Sequence, residues 1–169
     1  MDRDQLRTVQ QPLKERYRQE PETALVTLAA AGTLGEGISC SVDTGRALAE
    51  AGLHRASGGD GSLLCSGDML LEALVACAGV TMRAVATSLG ISAHGTVRAE
   101  GDLDFRGTLG VDREAPVGFS AIRLTFELDE AVDDEQRDRL LGLTERYCVV
   151  YQTLISSTPI STTISEHAA

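Results

Sequence analysis

"SGDMLLEALVACAGVTMRAVATSLGI", residues 66–91, is the most apolar long run in the chain. Its hydrophobic positions recur at helical spacing, so it reads as one long helix. Almost every side of that helix is apolar, which predicts a helix surrounded by protein. Leu70, Leu74, Cys77, Val80 or Thr81, and Ala84 fall on one stripe. Ala73, Ala76, Ala78, Gly79 and Ala84 are small, so another element has room to approach closely around the thiol of Cys77. Ser66 or Asp68 is placed to cap the N-terminus and Gly90 to end the helix. A membrane span would have similar length, but Glu72 and Arg83 inside the run favour a buried core helix.

The flanks of this helix set the fold class. Before it, "ASGGDGS" (56–62) is a loop, with glycines and an Asp-Gly step. It lacks the Gly-Lys-Ser/Thr that would make it a phosphate loop. Further upstream, residues 23–32 and 37–43 read as strands joined by "TLGEG" in a hairpin. Residues 44–55 are ambiguous between a short helix and irregular strand. Residues 12–20 read as a short exposed helix with Pro12 in its first turn and Pro21 limiting it. After the long helix, "AHGTVRAEGDLDFRG" (93–107) alternates as an edge or hairpin strand. Residues 118–130 alternate cleanly, with Ile122, Leu124, Phe126 and Leu128 on one face. Residues 132–154 return to helical spacing, with Leu140, Leu143 or Thr144, Tyr147 and Tyr151 on one side and an acidic first turn. Residues 159–166 close the chain as a β-branched strand. This order predicts an α+β fold with helices packed on antiparallel sheet.

Composition narrows the function classes. The chain has 169 residues, 43% apolar and 24% charged, enough for one ordinary core. Aromatics make up 4% with no Trp, so a base-stacking platform is not expected. Acidic residues outnumber basic ones by 25 to 15 and no basic stripe is visible, which argues against a nucleic-acid partner. The first 20 residues are charged from the second position and contain no apolar signal region, so a cytoplasmic protein without a membrane partner is expected.

The chain has four cysteines, Cys40, Cys65, Cys77 and Cys148, and no pair has metal-binding C-x-x-C spacing. Only His54, His94 and His167 would add imidazoles, so neither a zinc site nor a bound cofactor is expected. Cys40, on an alternating strand, reads as packing. Cys65 lies just before the long helix, where a helix N-terminus favours a thiolate but a loop position favours a bland role. Cys77 and Cys148, taken separately, are either small buried hydrophobes or reactive thiols. Arg83 and Arg146 are near enough in sequence to influence them.

Three stretches together resemble the OsmC/Ohr family of osmotically inducible and organic-hydroperoxide-resistance proteins. "GGDGSLLCSGDMLLEALVACAGVTM" is similar to the family's glycine-rich loop and first-cysteine helix, "ERYCVVYQTL" to its second-cysteine helix, and "PISTTI" to its closing strand. The likeness runs from about residue 23 to 166, leaving residues 1–22 as an N-terminal helical extension to a domain at 23–169. It implies antiparallel sheets packed around a long central helix in an intertwined homodimer, with two active sites at the subunit interface. It also implies a thiol peroxidase for organic hydroperoxides. Cys77 would be the peroxidatic residue, Cys148 the resolving residue, and a dithiol or lipoyl-type protein the reductant. Three departures stand out. Gly67 occupies the position of the family's Glu, "GTLGEG" lacks its Arg, and Val149 replaces the Pro that commonly follows the second cysteine. They point to a branch divergent from Ohr, and leave a redox sensor, an apolar-ligand binder or a purely structural dimer as alternatives on the same fold.

Overall fold

The computed structural model describes residues 3–34, 40–42, 51–129 and 131–164. Along the chain these form α1 (Arg3–Gln19), β1 (Leu25–Leu34), β2 (Cys40–Val42), β3 (Ala51–Gly52), β4 (Leu64–Cys65) and α2 (Ser66–Leu89). β5 (Gly95–Asp104), α3 (Phe105–Thr108), β6 (Phe119–Leu128), α4 (Asp134–Tyr147) and α5 (Val149–Ile155) follow. The main sheet is antiparallel in the order β2-β1-β5-β6, and β3 and β4 pair as a short parallel ribbon. The fold is therefore α+β. The expected hairpin is present as the β1–β2 pair, while residues 35–39 of its turn and 43–50 beyond it lie outside the described residues.

β5 is an interior strand, not an edge, pairing with β1 on one side and β6 on the other. Its alternation comes from a sheet with one dry face and one wet face. Val97 and Ala99 are fully buried, while Thr96 and Arg98 are exposed. On the wet side Asp102 accepts from Arg123 Nη1 at 2.5 Å and from Thr27 Oγ1 at 2.7 Å, tying three strands together. Ile122, Leu124, Phe126 and Leu128 share the inner side of β6, as their spacing predicts, and pack against the core.

α2 lies on that inner face and buries Leu71, Leu74, Val75, Ala78, Met82 and Ala86. Leu140 of α4 closes the same core from outside. The predicted stripe is offset from the buried arc: Cys77 and Ala84 are half-buried on its flank, and Leu70 and Val80 are each 37% exposed. Among the described residues, then, the sheet and α4–α5 leave one stripe of α2, with Leu70 and Val80, uncovered. Among the described residues α2 is the one helix long and apolar enough to cross a membrane by length and composition. Neither Ser66 nor Asp68 caps it. Cys65 holds the N-cap position in extended geometry without a side-chain cap bond. Gly90 ends it as expected, at φ 68°, where a β-carbon would be strained.

The "GGDG" turn is structural. A β-carbon at Gly59 would collide with the Leu53 carbonyl oxygen, and Asp60 accepts from the Ser62 amide at 2.8 Å in an Asx-type turn. Three other expectations change. α1 begins well before Pro12, which sits inside the helix. The cost of a mid-helix proline is offset by docking: Tyr17 is fully buried and donates to Ala56 O at 2.6 Å, and Leu13 packs beside it against Phe105 and Leu109. The second helical stretch is two helices, broken at Cys148. Of the expected strand at 159–166, residues 159–164 form none and Ile160 and Ile164 are exposed, because a β-branched segment needs an edge to pair with and meets none among the described residues; 165–166 lie outside them.

Candidate functional site

The break between α4 and α5 is what brings the two thiols together. Asp133 caps the start of α4, accepting from the Gln136 amide at 2.8 Å. The buried Thr144, one turn before Cys148, donates to Met82 Sδ at 3.6 Å and so locks α4 to α2. At Cys148 the backbone swings to φ −72°, ψ 110°, ending α4 and starting α5 in a new direction. The Cys148 side chain is the cap of the new helix: its Sγ accepts from the Tyr151 amide at 3.4 Å. The first amides of any helix lack intrahelical acceptors, and that of Tyr151 is taken up by this sulfur.

Cys77 and Cys148 are free thiols within hydrogen-bonding contact of each other. Their environments push them apart in acidity. Burial raises the Cys77 thiol, but the Val150 amide, the Cys148 thiol, the Val149 amide and the Thr81 hydroxyl outweigh it and leave Cys77 below the ordinary thiol value. Cys148, with no exposed surface, is raised by burial and by the neighbouring Cys77, against the opposing Tyr151 amide. Cys77 is thus the more acidic thiol of the pair and Cys148 the less acidic one.

An apolar groove of about 480 Å³ lies between β6 and the α4–α5 junction, with neither thiol in its lining. Leu74, one turn before Cys77, and Tyr151, one turn after Cys148, line it with Phe119, Ile122 and Leu154. The remaining sequence candidates lie elsewhere. Cys65 borders a separate cavity of about 390 Å³ with Gly67, Ser57 and Phe105. His54 also lines it, stacked on Phe105 at 5.0 Å and accepting from the Ala56 amide. Cys40 contributes backbone to β2. Arg83 donates to Ala93 O at 2.5 Å and Arg146 lies over Tyr147. Asp68 is raised by burial, with His54 pulling the other way. Among the described residues no group of His, Cys, Asp and Glu could hold a metal; His167 lies outside them. The Val149 and Val150 amides carry no side-chain signature. Their one trace in the sequence is that position 149 is not proline.

None of the curated proteins matches the chain. Among solved structures, it is similar to an OsmC-like hydroperoxide resistance protein from Jannaschia sp. CCS1, with a TM-score of 0.57 and 16% identity. The similarity covers 86% of this chain and 97% of that one, which is a likeness of fold. The family model for OsmC-like proteins matches residues 59–163, a span holding α2, Cys77, the α4–α5 break and Cys148. On that match, this chain belongs to the OsmC-like protein family.

Proposed function

We propose that the protein is a two-cysteine peroxidase for organic hydroperoxides, with Cys77 peroxidatic and Cys148 resolving. The observation that carries this reading is the pairing of two free thiols of unlike acidity, Cys77 lowered and Cys148 raised. The Cys77 thiolate attacks the distal peroxide oxygen. The S–O bond forms as the O–O bond breaks, and the alkoxide leaves as an alcohol after taking a proton. Cys77 is then a sulfenic acid. Cys148 sulfur attacks it, and the sulfenic oxygen leaves with two protons as water, giving the Cys77–Cys148 disulfide. A dithiol of lipoyl type returns both thiols. The groove lined by Phe119, Ile122 and Leu154 suits the alkyl part of such a peroxide, and the neighbour in the fold comparison is itself a hydroperoxide resistance protein.

The working unit in this proposal is a homodimer in the reducing cytoplasm. Leu70 and Val80 on the open side of α2, with Tyr147, Val149 and Ile155 near the dithiol, are exposed apolar surface that a second copy would cover. The test is a stoichiometric challenge with cumene hydroperoxide followed by mass spectrometry. One equivalent should yield the Cys77–Cys148 disulfide, and absence of that linkage at full peroxide consumption would overturn the mechanism. The same groove would serve a non-enzymatic binder of apolar ligands; in that case peroxide is not consumed while the ligand still protects Cys77 from alkylation.

A further inference from the structure

The groove between β6 and the α4–α5 junction combines apolar walls with a single charge. Phe119, Ile122 and Leu154 belong to the walls, and among the described residues Glu145 is the only charged one in the lining. We propose that Glu145 selects the occupant of this groove by charge: hydroperoxides with an uncharged body are admitted, and those bearing a carboxylate are excluded. The inference deepens the peroxidase reading by naming its substrate class, and rests on that reading for the role of the groove.

The half-buried Glu145 is fixed from two elements. Leu141 and Glu145 are four residues apart on α4, the spacing that puts two side chains on one helical face, and both line the groove. The adjacent Thr144 is buried and bonded to Met82 of α2, which sets the rotation of this turn. From α5, Gln152 Nε2 donates to the Glu145 carbonyl at 2.8 Å, and the Tyr151 hydroxyl donates to Glu145 Oε1 at 3.4 Å.

No cation neutralises that carboxylate. Among the described residues the ion pairs are made by Arg106 and Arg123, and Glu145 is in none of them. Arg146, its neighbour in the chain, lies over the Tyr147 ring at 5.4 Å. Burial, and then the Glu145 charge, raise the Tyr151 hydroxyl above its ordinary value, so it stays a neutral donor. Ser120, also in the lining, donates to Asp102 O at 3.1 Å. An anionic head in the groove therefore meets a like charge and no counter-charge. At separations of a few ångströms, partly screened by solvent, such repulsion weakens binding by about tenfold.

The experiment uses two unreactive probes, cuminyl alcohol and cuminate, which share an isopropylphenyl body and differ in the charge of the head. Each is titrated into the full-length reduced protein and followed by amide NMR shifts. In wild type the alcohol should bind about tenfold tighter than the carboxylate, with shifts centred on residues 119–124, 145 and 151–155. Glu145→Gln keeps the size of the side chain and an acceptor for Tyr151, and should bring the two affinities within about twofold by tightening cuminate. Added salt should narrow the gap in wild type more than in Glu145→Gln. Failure of the alcohol to bind, shifts that map away from the groove, or equal affinities in wild type would overturn the proposal. A gap that survives Glu145→Gln would also overturn it and assign the preference to the net charge of −10. Neither probe carries an O–O bond, so the two readings fail separately. If the charge preference is present while cumene hydroperoxide is left intact, the selection stands and the peroxidase reading falls. If cumene hydroperoxide is consumed while both heads bind alike, the selection alone falls.

Discussion

Cys77 and Cys148 have unlike surroundings, and that difference is what a two-thiol reaction needs. The nucleophile should ionise near neutral pH, and its partner should keep a proton until the sulfenic acid has formed. Cys77→Ser should abolish turnover of cumene hydroperoxide by a dithiol. Cys148→Ser should permit one oxidation, leaving a sulfenic acid trappable by dimedone and no intramolecular disulfide. Because the Cys77 value is lowered, its alkylation should rise with pH and level off below the ordinary thiol range; a midpoint at or above that range would contradict the assigned roles. Both cysteines were legible in the sequence as candidates, and their pairing only through the family resemblance. Seventy residues lie between them, and the acidity difference comes from burial, from the neighbouring thiol and from backbone amides, which every residue except proline possesses. A residue far from the thiols gives an independent check on the fold. Tyr17→Phe removes the hydroxyl that the part-buried Ala56 carbonyl accepts from, and should cost about 1 kcal/mol in urea denaturation.

The α4–α5 break is the element on which the site depends. Residues 132–154 have a continuous helical period, and they contain no proline or glycine near position 148 to mark an interruption. The break is decided by packing. Thr144 is pinned to Met82 of α2, and the chain after it turns so that Tyr151 and Leu154 reach the β6 side of the core. α5 has seven residues, none of them buried, so its capping matters more than it would in a longer helix. Disulfide formation would make the Cys148 sulfur a poorer acceptor and weaken its cap on the Tyr151 amide. Loss of an N-cap costs about 0.5–2 kcal/mol, so hydrogen exchange at residues 149–151 should accelerate roughly 2- to 30-fold on oxidation with diamide. Unchanged protection there would mean that α5 is held by other contacts.

At the scale of the molecule, the open surface is as informative as the core. α2 leaves Leu70 and Val80 partly in solvent, and the segment carrying Ile160 and Ile164 pairs with no strand among the described residues. A homodimer would use both, so sedimentation equilibrium should return twice the 17.9 kDa chain mass. Val80→Glu should shift that equilibrium toward the single chain without unfolding it, because the position is not part of the buried arc. Periodicity already contains α2, the alternation of β5 and β6, the glycine turn and the α+β order, since helical and strand spacing are local properties that survive in any context. The break at Cys148, the interior place of β5, the one-sided burial of α2 and the unpaired tail belong to the assembled structure alone. Each depends on which surfaces are within reach of one another, and contact between distant segments is settled by packing, for which no local pattern in the sequence is a proxy.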